Sequence, residues 1–119
     1  MSSQEPRIRV KRADGVIHVE FVDRNILDEG NIQAIGEQVA ALVDSEQAPR
    51  MLLSFANVEH LSSAALGQLI TINNKVRARQ GQLRLANIDP QIKEVFHITK
   101  LSKLFQIHDS TADAVASFV

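Results

Sequence analysis

The sequence predicts an α/β fold in which a central sheet of mixed direction carries about four helices. Three features predict it. Period-two alternation opens the chain, apolar residues then recur at helical spacing in two long segments, and short apolar runs separate those segments. Strands that alternate with helices imply right-handed crossovers onto largely parallel strands, and a leading hairpin adds an antiparallel edge. The predicted order is ββαβαβαβα.

Residues 1–6 read as a polar leader. Ile8 and Val10, then Ile17, Val19 and Phe21, alternate with Arg9, Lys11, His18 and Glu20, the pattern of strands with one wet face. Asp14-Gly15 between them suits a tight hairpin turn, because Gly supplies the positive φ such turns need. From Asn31 the period changes. Ile32, Ile35, Val39, Leu42 and Val43 fall on one helical face and Gln33, Glu37, Gln38 and Asp44 on the other. Pro49 interrupts, and Met51 to Phe55 is the almost continuous apolar run of a strand buried on both faces, hence mid-sheet.

Ser62-Ser63-Ala64-Ala65 opens a second amphipathic helix, with Leu66, Leu69, Ile70, Ile72 and Val76 inward and Gln68 on the outer face. Lys75, Arg77 and Arg79 complement the negative end of its dipole, and Gly81 ends it. The two long helices, from Asn31 and from Ser63, are expected on one face of the sheet. Leu83, Leu85 and Ile88 make a further strand. Asp89-Pro90 caps and starts a third helix through Ile92, Val95 and Phe96, since proline at the first helical position sacrifices no hydrogen bond. Leu104, Phe105 and Ile107 suggest a last short strand, and Ser110 with Asp113 resembles a capping box before Ala114, Val115 and Phe118.

At 119 residues, two independent units would each be too small to bury a good core, so residues 1–119 are expected to form one domain. A hydrophobic fraction of 45% with 23% charged residues belongs to a folded chain rather than a disordered one. The net charge of -1, with scattered basic residues, removes the positive field that nucleic acid or an anionic membrane would demand. With no cysteine, disulfides, thiolate metal sites and cysteine nucleophiles are excluded, and a cytoplasmic location fits. No apolar run approaches the ~20 residues that cross a bilayer, so membrane insertion is not expected.

The four histidines, His18, His60, His97 and His108, form no His-x-x-x-His pair, so no metal is expected. The five glycines form no phosphate loop, and no cofactor is expected. Asp23, Asp28 and Glu29 lie in the connection before the first helix, where solvation and capping account for carboxylates and a partner contact is the functional alternative. Nothing nearby pushes two of them apart in protonation, as acid/base catalysis requires. Ser62-Ser63 stands apart. Serine there caps the helix, and the same place suits a phosphate, because free N–H groups and the helix dipole stabilise added negative charge.

Val58 to Gly67, with Leu61-Ser62-Ser63-Ala64-Ala65-Leu66 at its centre, resembles the signature of the STAS domain, in which an apolar residue, Asp, Ser, Ser or Thr, Gly, Leu and Gly open the second helix. Ile26-Leu27-Asp28 resembles the family's Leu-Asp before the first helix, and Pro90 to Phe96 with Leu101 and Phe105 resembles its third helix and last strand. The resemblance to the anti-sigma factor antagonists of this family implies a STAS fold and a non-enzymatic partner switch. The unphosphorylated protein would bind an anti-sigma factor with serine-kinase activity, freeing a sigma factor, and phosphorylation would release it. The implied acceptor is Ser63, with Asp23, Asp28, Leu61, Ser62, Ala64, Ala65 and Leu66 as partner-binding residues. Ser62 stands where the family has Asp and Ala65 where it has Gly, which makes Ser62 the alternative acceptor. A second reading is a STAS subunit that is never phosphorylated, a scaffold in a sensory assembly or the cytoplasmic part of a lipid or anion transport complex. A weak homodimer is compatible with either. A serine hydrolase is disfavoured because no motif supplies the orienting base.

Overall fold

The computed structural model describes residues 7–118, so the leader at 1–6 lies outside the described residues. In chain order the elements are β1 Ile8–Ala13, β2 Val16–Phe21, β3 Asn25–Ile26, α1 Glu29–Asp44, β4 Arg50–Ser54, β5 His60–Leu61, α2 Ser63–Ala78, β6 Gln82–Ala86, α3 Pro90–Ile98, a 3-10 turn Leu101–Lys103, β7 Gln106–His108 and α4 Thr111–Ala116. Removing the two-residue strands β3 and β5 leaves the expected order. Two residues carry no period, so spacing gives no sign of either strand.

β1 and β2 pair antiparallel around Asp14 (φ 55) and Gly15 (φ 75), both left-handed as a type I′ turn requires. The main sheet runs β1-β2-β4-β6-β7, and every pair after the hairpin is parallel. β4 is therefore central, as the run from Met51 predicts, and its side chains alternate between two cores. Met51 and Leu53 join the large cluster under α1, α2 and α3, whereas Leu52 meets Val16, Ala86 and Ala114 beneath α4. The large cluster takes Ile35, Val39 and Val43 from α1, Leu69, Ile72 and Val76 from α2, and Ile92 and Phe96 from α3. Two aromatic pairs, Phe21–Phe55 at 4.9 Å and Phe96–Phe105 at 5.9 Å, lie in it.

Four local expectations are corrected. Val10 is 41% exposed, because β1 is the edge strand and only Ile8 of its apolar pair reaches the core. Gln68 is half-buried rather than outward, its Nε2 donating to the Ile32 carbonyl of α1 at 3.3 Å. Gly36 makes room for it, since a Cβ there would meet the Gln68 amide. α2 ends at Ala78, before Gly81, and the left-handed residue that follows it is Gln80 (φ 61). Gly81 is needed for close approach, because a Cβ would run into the Pro49 carbonyl that accepts the Gln82 N–H at 2.8 Å. Finally, Ile88, Leu104 and Phe105 fall outside their strands, which end at Ala86 and begin at Gln106.

Candidate functional site

In a parallel sheet with right-handed crossovers, the carboxyl ends of the strands and the amino ends of the following helices meet at one edge. Here the β3–β5 pairing joins two of these connections. Asn25 faces His60 and Ile26 faces Leu61, the Ser62 N–H donates to the Ile26 carbonyl at 3.1 Å, and the Glu59 N–H donates to the Arg24 carbonyl at 2.7 Å. The pairing brings the starts of α1 and α2 to neighbouring positions.

Asp28 is the N-cap of α1, and its Oδ2 accepts the Asn31 N–H at 3.2 Å. Ser62 is the N-cap of α2, with extended backbone (φ -85, ψ 167) and Oγ accepting the Ala65 N–H at 3.2 Å. Ser63 follows as the first helical residue. It is exposed, and among the described residues its hydroxyl has no hydrogen-bond partner. The first turn of α2 holds no acidic side chain. With the Ala65 N–H taken by the cap, the Ser63 and Ala64 N–H groups, which have no intrahelical acceptor, stay available to an anion.

The remaining sequence-derived positions divide. Ala64 is exposed beside Ser63, and Gly67 one turn on borders open space. Leu61 is half-buried and packs on the core. Ala65 and Leu66 are buried, so they anchor the helix start and leave the surface to their neighbours. Asp23 is paired with Arg7 at 3.2 Å and its side chain is 17% exposed, which ties it to the entry of β1 rather than to the α2 surface. Leu27, outside any periodic stretch, is 54% exposed immediately before Asp28. An open cleft lined by Glu59, His60, Asp89, Pro90 and Gln91 lies between β5 and α3, where helical and strand spacing give no sign of it. A large apolar side chain outside any periodic stretch was the available signal for Leu27.

Among the described residues no three His, Asp or Glu side chains cluster to hold a metal. No helix there is long and apolar enough to cross a membrane.

These features define a small mixed-sheet α/β domain whose parallel strands present two helix starts on one surface. The STAS domain model matches residues 7–114, and the chain belongs to the STAS domain family. It is 27% identical over 95 residues, 80% of this chain and 81% of the relative, to the candidate anti-sigma factor antagonist BtrV of Bordetella bronchiseptica. An anti-sigma factor antagonist (STAS) domain protein from Planctomyces limnophilus superposes with a TM-score of 0.83 at 21% identity, covering 94% of this chain and 97% of its own. The phosphorylated form of the Bacillus cell fate determinant SpoIIAA superposes with a TM-score of 0.67 at 12% identity, covering 92% of this chain and 96% of its own.

Proposed function

We propose that this protein is an anti-sigma factor antagonist that works as a phosphorylation-controlled partner switch in the cytoplasm, without catalysis of its own. Unphosphorylated, it binds an anti-sigma factor with serine-kinase activity, which frees a sigma factor for transcription. Phosphorylated on Ser63, it lets that partner go. The observation that carries this reading is the division of labour between adjacent serines: Ser62 Oγ is engaged at 3.2 Å as the cap, while the Ser63 hydroxyl is exposed and unpartnered among the described residues. A kinase needs the second kind. The docking surface is the exposed set around it, Ala64, Gly67, Asp28 and Leu27 with the rim of Leu61, held by the buried Ala65 and Leu66.

Phosphate on Ser63 adds roughly two negative charges and three acceptor oxygens at a place the helix dipole favours, so the fold tolerates it. The effect falls on binding. A surface that lies flat against a partner meets added bulk and the desolvation of the new charge, and about 3 kcal/mol lowers affinity by about a hundredfold. The test is incubation with the cognate kinase and ATP, location of the phosphate by mass spectrometry, and binding measurements on Ser63→Ala and Ser63→Asp. Phosphate on Ser63, retained binding for Ser63→Ala and weakened binding for Ser63→Asp are expected. Phosphate on Ser62 alone would shift the acceptor. No phosphate from a demonstrated cognate kinase would leave a constitutive scaffold or transport subunit as the function.

A further inference from the structure

The main sheet ends at β7 on one side and at β1 on the other. β7 is three residues long, whereas β1 offers six in unbroken register with β2. The Val22 N–H donates to the Arg7 carbonyl at 3.1 Å, and this fixes the alternation along the hairpin. Arg9, Lys11 and Ala13 turn their backbone groups to β2, while Ile8, Val10 and Arg12 turn theirs away from it. Among the described residues nothing takes up those outward N–H and carbonyl groups. Proline, a bulge or brevity blunts many such edges, and β1 has none of these.

Charge decides what can pair there. Arg9, Lys11 and Arg12 are all exposed. Arg9 and Arg12 reach Glu20 at 3.6 Å and Glu46 at 3.2 Å, and Lys11 has no ion pair among the described residues. If two copies paired antiparallel about Val10, the register that uses the whole open length, Arg9 of each would face Lys11 of the other. Like charges directly opposite one another destabilise a ladder, so the edge discourages its own copy.

We propose that the β1 edge binds an extended segment of another protein in which acidic and apolar residues alternate, adding it to the sheet as a further strand. The cations that repel a second copy attract such a segment. Arg9 and Lys11 lie on the sheet face that carries α4, where they border an open depression with His18 and Ser54, so acidic side chains have room beside them. Ile8 and Val10 lie on the other face, and Val10 is 41% exposed, an apolar surface for the residues between the acids. An antiparallel segment thus sets acids opposite Arg9, Lys11 and Arg12 and apolar residues opposite Ile8 and Val10. Main-chain hydrogen bonds supply the affinity and the side-chain order the selection. This site is independent of the Ser63 switch.

The test is amide hydrogen exchange of the full chain read by NMR, with the end-capped peptide Thr-Glu-Glu-Val-Glu-Val-Thr as the probe. In the free protein the Val10 and Arg12 amides are expected to exchange fast and the Lys11 amide slowly. Peptide at about ten times its dissociation constant should slow Val10 and Arg12 about tenfold, because each amide is then open about a tenth of the time, and leave Lys11 as it was. The same peptide with lysine for glutamate should do nothing. Lys11→Glu should weaken binding about tenfold, while Lys103→Glu, the same charge change in the 3-10 turn, should leave it unchanged. Val10→Pro removes an outward donor at a place where an edge strand tolerates proline, and should also weaken binding; if that variant does not fold, Lys11→Glu decides. Absence of binding, or peptide-induced shifts without the alternating protection, would overturn the proposal. So would protection of Val10 and Arg12 that grows with protein concentration in the absence of peptide, the mark of a second copy on the edge.

Discussion

Ser62 and Ser63 carry the same side chain, yet a single step along the chain gives them different jobs. Ser62 has extended backbone and turns its oxygen back on the Ala65 N–H; Ser63 is already helical, about 100° further round the axis, and turns its hydroxyl out. Ser62→Ala is therefore expected to cost about 1 kcal/mol, as loss of a serine cap does, and Ser63→Ala less than about 0.5 kcal/mol. Urea unfolding of the two variants separates the roles, and equal losses would mean that the cap is shared. A second residue pair behaves similarly. Gln80 takes the left-handed conformation that glycine usually occupies, while Gly81 spends its missing side chain on closeness to Pro49. Gly81→Ala is expected to destabilise by about 1–3 kcal/mol, because a rigid backbone carbonyl is the atom that must move, and thermal unfolding checks it.

At the scale of the element, α2 shows what a helical period can and cannot tell. Leu66, Leu69, Ile72 and Val76 point into the core as their spacing demands. Gln68 is polar, which predicts an outward position, yet it lies between the helices over Gly36 and bonds to Ile32. Periodicity assigns faces relative to one neighbour, the sheet, whereas α2 has a second neighbour in α1. Leu69→Ala is expected to cost roughly 2–5 kcal/mol and Gln68→Ala about 0.5–1.5 kcal/mol, the former from a core cavity and the latter from a lost interhelical hydrogen bond. Urea midpoints of the two variants distinguish this from a solvent-facing Gln68, which would leave the midpoint of Gln68→Ala at the parent value.

At the scale of the molecule, the two ends of the sheet are chemically unlike. One presents the paired starts of α1 and α2 with Ser63 between solvent and an acid-free helix turn; the other presents the exposed Arg77 and Lys103. Phosphorylation of Ser63 is expected to leave the melting transition within about 1 kcal/mol of the unmodified protein, on the stabilising side, since the charge complements the helix dipole. Calorimetry of the two forms checks it, and a large destabilisation would move the switch from the interface into the fold. The sequence by itself determined the element order, the central place of β4, the caps Asp89 and Ser110 and the serine pair at the start of α2, because each depends on residues near one another in the chain. Tertiary structure alone decided that β3 and β5 pair, that Asp23 belongs to Arg7, and that Gln68 lies between α1 and α2. Those are meetings of residues distant in the chain, and local spacing carries no information about which distant residue fills a given space.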